Sequence, residues 1–118
     1  MLGLLKNFWQ NLQPFSSLHV AVDTGGKNKP TIVLLHGIAA TSKTWQPLLN
    51  ELDTHKYRII ALDLLGFGES IHPIGCRYEV YDQIRHIRRT LRRLRIRKPF
   101  ILVGHSMGSI ISARYCSL

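Results

Sequence analysis

Residues Gly104-His105-Ser106-Met107-Gly108 read G-x-S-x-G and follow directly on the apolar run Phe100–Val103. A serine hydroxyl is a weak nucleophile at neutral pH. To attack an acyl carbon it needs a base, and a place that holds the negative charge developing on the carbonyl oxygen. A strand that ends in this pattern and turns at once into a helix exposes the serine Oγ at the strand's carboxyl end. Gly104 and Gly108 remove the Cβ atoms that would collide as strand and helix close up. The N–H groups opening the helix face the same place, and the Met107 N–H is the natural donor. An oxyanion hole needs a second donor from a neighbouring loop. The segment Leu34-Leu35-His36-Gly37-Ile38 ends another apolar run and can supply the Ile38 N–H. The bland reading is a glycine-rich strand-to-helix turn with an incidental serine.

A third segment, Ala61 to Ser70, carries D-L-L-G-F-G-x-S from Asp63 onward. Taken with the L-H-G step at 35–37, the helix holding Trp45 and the G-H-S-M-G turn at 104–108, it resembles the α/β-hydrolase superfamily, in its single-domain group of serine hydrolases and esterases. The resemblance runs from about Leu18 to Tyr115. It implies an α/β fold built on a parallel sheet, with the strand at 31–35 between the other two, so that its end lies at a topological switch point. It also implies roles: Ser106 as nucleophile, Met107 and Ile38 as backbone oxyanion donors, and His36 and Gly37 as the dipeptide shaping the oxyanion loop. Asp63, Gly66, Gly68 and Ser70 would shape a turn rather than take part in catalysis, while Gly104, His105 and Gly108 would frame the elbow. The implied substrate is a small molecule with an ester or related acyl bond, and no cofactor or metal is implied.

The sequence departs from that family in one respect. The triad of this fold runs in the order Ser, Asp/Glu, His. The twelve residues after Ser106 contain no Asp, Glu or His, and His19, His36, His55, His72, His86 and His105 all precede the nucleophile. His105 is its chain neighbour, and adjacent side chains on so tight a turn diverge. The resemblance therefore implies that acid and base lie beyond this chain. The 118 residues then read as the first half of a hydrolase, cut after the nucleophile helix and inactive alone.

The elements that must position these residues follow from periodicity. Thr31–Leu35, Arg58–Leu62 and Phe100–Val103 read as buried strands, and Leu18–Val22 as a short one. Between them lie a helix at 44–52, with Thr44 as cap and Pro47 in the first turn, and a helix whose Val80, Ile84, Ile87, Leu91 and Leu94 form one stripe. A last helix begins at Ser109. The alternation of strand and helix predicts an α/β domain with strands apolar on both faces. Residues 1–17 read as an N-terminal amphipathic helix and linker, and residues 18–118 as the hydrolase portion. In the first of these Leu4, Leu5, Phe8, Trp9 and Leu12 make an apolar side, and Pro14 stops the helix. Its simplest role is to dock on its own domain; a membrane or partner contact is the other.

A chain of 118 residues, 45% hydrophobic and 19% charged, is one globular domain's worth and excludes wholesale disorder. Its longest apolar runs are four residues, too short for a membrane span, and polar residues from Lys6 onward interrupt any leader-like stretch. Cys76 and Cys116 read as free thiols, which points to the cytoplasm. The net charge of +9 is concentrated: residues 77–98 hold nine basic residues against Glu79 and Asp82. The basic helix at 85–97 could instead make the chain a non-catalytic binding module for nucleic acid or anionic lipid. No aromatic residue interleaves with its arginines as a stacking platform requires, so nucleic acid is not the expected partner. A third reading comes from Gly37 to Thr44, G-x-x-x-x-S-K-T, one glycine short of a phosphate-binding loop. Gly66-Phe67-Gly68 is similar to a dinucleotide loop but has Ile71 in place of the third glycine.

Overall fold

In the computed structural model, which describes residues 1–11 and 16–118, the chain forms α1 (Leu2–Asn11), β1 (Val20–Asp23), β2 (Thr31–Leu35), a 3₁₀ turn (Ser42–Trp45), α2 (Gln46–Glu51), β3 (Arg58–Leu62), α3 (Val80–Arg93), β4 (Ile101–Gly104) and α4 (Met107–Cys116). The strands make one sheet in the order β1-β3-β2-β4. β2 runs parallel to both neighbours, with Leu35 level with Leu62 on one side and Gly104 on the other. The loops after β2, β3 and β4 therefore gather at one end of the sheet. β1, for which the sequence pattern set no direction, pairs antiparallel with β3 and makes the sheet mixed. A bidentate pair ties the two strands, with Arg58 Nε on Asp23 Oδ1 at 2.9 Å and Nη2 on Oδ2 at 2.7 Å. The guanidinium holds the Asp23 carboxyl below the usual carboxylate range.

Every residue of β2 and β3 is buried, because both faces of the sheet are covered. Side chains alternate between two cores. Val33, Leu35, Ile60 and Leu62 meet Ile84, Ile87 and Leu91 of α3 and Ile111 of α4. Ile32, Leu34, Ile59 and Ala61 meet Trp45, Leu49 and Leu52. The stripe of α3 thus faces the sheet as its periodicity predicts, and Asp82 accepts from the Glu79 N–H at 3.1 Å to close its first turn. β4 is one of the sheet's two edges and is less covered than β2 and β3, so Ile101 is 51% exposed.

Two expectations fail. Thr44 caps nothing; Thr41, in extended backbone, accepts from the Lys43 N–H at 3.3 Å and starts the 3₁₀ turn. The cause is tertiary: the Ser42 N–H is drawn to Asp63 Oδ1 at 2.8 Å, so winding begins at Ser42 and the α-helix proper only at Gln46. The first helix, Leu2–Asn11, does not bury its apolar side. Leu4 is 76% exposed and Trp9 63%. The expected roles of Leu12 and Pro14 lie outside the described residues.

Candidate active site

β4 hands over to α4 through two residues, and the second of them is strained. Ser106 has φ 54° and ψ −120°, outside the regions open to L-residues with a Cβ. Such a conformation costs on the order of 1–3 kcal/mol and persists only where neighbours over-determine it. Here they do. The His105 N–H donates to Leu35 O at 3.0 Å, the Gly108 N–H to His105 O at 2.9 Å and the Ser109 N–H to Ser106 O at 2.9 Å. A Cβ on Gly104 would be driven into the Gly108 carbonyl and would reach Ser109 N at 2.6 Å. A Cβ on Gly108 would be driven into Leu35 O and would reach His36 O at 2.6 Å. Both glycines are therefore steric requirements of the turn. Ser106 is exposed beyond the end of β4, at the N-terminus of a ten-residue helix, where the dipole favours negative charge.

The loop after β2 leans on this turn. A Cβ on Gly37 would lie 3.1 Å from Ser106 Cβ and 3.2 Å from His105 Nδ1, so Gly37 stands beside the serine. His36 is fully buried. Its Nε2 accepts from the Leu64 N–H at 2.9 Å, so in the neutral ring the proton sits on Nδ1, which donates to Gly37 O at 2.7 Å. The Ala40 N–H also reaches Gly37 O, at 3.3 Å. The Gly37–Ile38 peptide is trans, so fixing that carbonyl turns the Ile38 N–H to the opposite side. Among the described residues, neither the Ile38 nor the Met107 N–H is paired with an acceptor, and Ser106 Oγ enters no hydrogen bond.

The third loop is organised by Asp63, which is buried. Burial alone would raise its pKa. Hydrogen bonds from the Ser42 N–H to Oδ1 (2.8 Å) and from the Glu69 N–H to Oδ2 (3.1 Å), with His19 Nδ1 at 3.0 Å from Oδ2, outweigh that and lower it to about 2. Gly68, at φ 54°, lies where any Cβ would strike the Asp63 carboxylate. Ser70 Oγ donates to Asp63 O and accepts from the His19 N–H at 2.9 Å. Gly66, at φ 83°, packs on the Tyr78 ring. Asp63 thus joins β1, the 3₁₀ turn and the 63–70 loop. It borders a hollow of about 350 Å³ with His19, Lys43 and Glu69 that does not include Ser106. This arrangement overturns the phosphate-loop reading of 37–44, because the Ser42 N–H faces a carboxylate. Gly66 and Gly68 open no helix, which removes the dinucleotide reading.

Two positions that sequence reasoning passed over support the site. Gln83 clamps the loop, its Oε1 accepting from the Leu65 N–H at 2.8 Å and its Nε2 donating to Leu65 O at 3.0 Å. The available signal was a glutamine beside the apolar stripe of α3. His19 closes on Asp63 and also reaches Glu69 Oε2 at 3.4 Å. Nothing local in its sequence announces that pairing. Among the described residues no group of three or more His, Cys, Asp or Glu is placed to hold a metal.

Asp63→Asn is expected to destabilise the fold by about 2 kcal/mol, because an amide nitrogen would then oppose the Glu69 N–H or the Ser42 N–H. The pH dependence has the same origin. A carboxyl lowered from 3.8 to about 2 on folding contributes stability that is present above pH 4 and lost as pH falls toward 2. Urea midpoints across that window should fall for the parent sequence, and fall less steeply for Asp63→Asn.

Comparison with known proteins identifies the family and the fold. The family model described as alpha/beta hydrolase fold matches residues 30–118. The mesoderm-specific transcript protein of Mus musculus is 35% identical over 82 residues, which is 69% of this chain and 24% of that protein. An Arabidopsis thaliana protein named "Probable lysophospholipase BODYGUARD 4" is 33% identical over 82 residues, 69% of this chain and 20% of that one. The present chain therefore spans under a quarter of the length of these relatives. Among solved structures, a carboxylesterase of the thaumarchaeon Nitrososphaera gargenis superposes with a TM-score of 0.77 at 30% identity, covering 89% of this chain and 39% of that one. With its strand order, its strained serine turn and a family match over residues 30–118, the chain belongs to the alpha/beta hydrolase fold family.

Proposed function

We propose that this chain carries the nucleophile and oxyanion hole of a serine hydrolase acting on an ester or related acyl bond of a small molecule. The observation that carries the reading is the Ser106 backbone, held at φ 54° by glycines that admit no side chain. Strain kept at a cost, on an exposed hydroxyl, at a helix N-terminus, serves nucleophilic attack. Ser106 Oγ attacks the acyl carbon as its proton passes to the base, and the carbonyl oxygen takes up the C=O π electron pair as an oxyanion. The Met107 and Ile38 N–H groups receive that charge. His36 acts as a positioning residue, since its Nδ1–H holds Gly37 O and so keeps the Ile38 N–H turned outward. Relatives named for lysophospholipase activity, and the carboxylesterase structure, support acyl-bond hydrolysis as the reaction class. Acid and base come from residues outside these 118. His19, His36 and His86 are hydrogen-bonded to Asp63, to the Leu64 N–H and Gly37 O, and to Asp82 O.

The test is covalent. A fluorophosphonate probe applied to the complete enzyme should leave its adduct on the peptide containing Ser106, and Ser106→Ala should abolish it. An adduct on another serine, or one surviving that substitution, refutes the assignment.

A further inference from the structure

The chain that follows α1 tethers the C-terminal end of α1 within reach of the arginine side of α3. The Leu18 N–H donates to Thr90 Oγ1 at 2.8 Å, which pins the chain to α3. Ser16 and Ser17 line a hollow with Arg89 and Arg93. From Asn11, where α1 ends, to Ser16 is five residue steps, a reach of roughly 17 Å at most. The C-terminal end of α1 is therefore held within that reach of the outer face of α3.

Each partner lacks cover of its own. On α1, Leu2 is 86% exposed, and Leu4, Leu5, Phe8 and Trp9 are all more than half exposed. On α3, Arg85, Arg89, Arg92 and Arg93 are exposed. Asp82 is the acid within the helix and is spent on Arg85, while Glu69 in the hollow is turned to His19. The cationic surface continues past the helix, where Arg95, Arg97 and Lys98 border a hollow of about 430 Å³ with Lys27 and Lys29.

An apolar helix carrying Trp and Phe, beside a field of arginines, presents the two signals that stable binding at a membrane interface takes. Nucleic acid would use the charge and leave the apolar helix unexplained. Moreover, Tyr81 and Tyr115, the aromatics near α3, are engaged by Arg114 and Arg88 rather than free to stack on bases. A second copy of the chain would bring +9 against +9. We propose that α1 and the arginine face of α3 together form a docking surface for an anionic lipid membrane, with α1 lying in the interface and the arginines on the headgroups. The proposal stands apart from the Ser106 assignment, and its test measures no activity.

The full chain is floated with vesicles of phosphatidylcholine alone and of phosphatidylcholine mixed with phosphatidylglycerol. Binding is expected to the mixed vesicles, to weaken as salt rises, and to be much weaker on phosphatidylcholine alone. With Trp45→Phe in place, Trp9 emission should shift to the blue on binding. Arg89→Glu with Arg93→Glu should weaken binding about twentyfold or more, at roughly fivefold per basic residue. Lys43→Glu with Lys56→Glu, an equal charge change on the α2 side of the sheet, should weaken it far less. Phe8→Ser with Trp9→Ser, which touches no buried core residue, should abolish the bound fraction at moderate salt. The proposal is overturned by equal binding to both vesicle types, by equal loss from the two charge pairs, by an unshifted Trp9, or by a nucleic acid duplex displacing the chain from vesicles while the Phe8 and Trp9 substitutions leave binding intact.

Discussion

Ser106→Ala in the complete enzyme is expected to lower kcat on a short acyl ester by about 10⁴- to 10⁶-fold, with KM little changed. The hydroxyl makes no contact that binding would miss, since Ser106 Oγ is exposed and holds no hydrogen bond among the described residues. What disappears is the covalent step. The turn should survive, because it is held by backbone groups and by the two glycines rather than by the serine side chain. Equal unfolding midpoints for parent and variant would confirm that chemistry alone was lost. The 118-residue chain by itself should already lie at the variant's level. Its Ser106→Ala form should be indistinguishable from it on the same ester. A Ser106-dependent rate above about 1 s⁻¹ from the chain alone would place the base among its own histidines and refute the split site.

Gly108→Ala is expected to cost about 3 kcal/mol or more and to remove fluorophosphonate labelling. The added methyl meets two backbone carbonyls, those of Leu35 and His36, at the end of the central strand. Neither can swing aside as a side chain would, so α4 must lift away from β2. That movement breaks the His105–Leu35 hydrogen bond and carries Ser106 away from Gly37. Gly25→Ala is the matched control. It has φ 75° but open space around it, so it should cost only about 1 kcal/mol and leave labelling untouched. Urea midpoints and adduct yield on the same four proteins (parent, Ser106→Ala, Gly108→Ala, Gly25→Ala) decide the matter.

What could be read from residues alone was what is local. The apolar runs at 31–35 and 58–62 are strands because no other element buries five consecutive residues on both faces, whereas the run at 100–103, expected to be buried as well, forms the edge strand β4 and stays partly exposed. The turn at Gly104–Gly108 was legible because its steric demand falls on two glycines four residues apart. The pieces that escaped depend on partners distant in the chain. Thr44 is as good a cap as Thr41 by type, and only Asp63, some twenty residues later, decides between them. His19 meets Asp63 because β1 runs antiparallel along β3, a direction no short strand announces. The apolar side of α1 predicts burial, and the fold leaves it in the open.

The hydrogen bonds and close contacts that strain Ser106 come from residues 35 to 109, and they close as soon as β4 lies on β2. In a chain growing at about 5–20 residues per second, the shape of the Ser106 turn is therefore set early, and residues made afterwards arrive at a turn already under tension. The same moment leaves the outer edge of β4 bare, with Ile101 half exposed beside it. Synthesis thus has an interval in which a correctly formed turn and a strand edge open to another nascent chain coexist. The rate of synthesis once this segment has emerged from the ribosome then becomes a variable of yield, and a pause in that interval should trade correctly folded chain for aggregate.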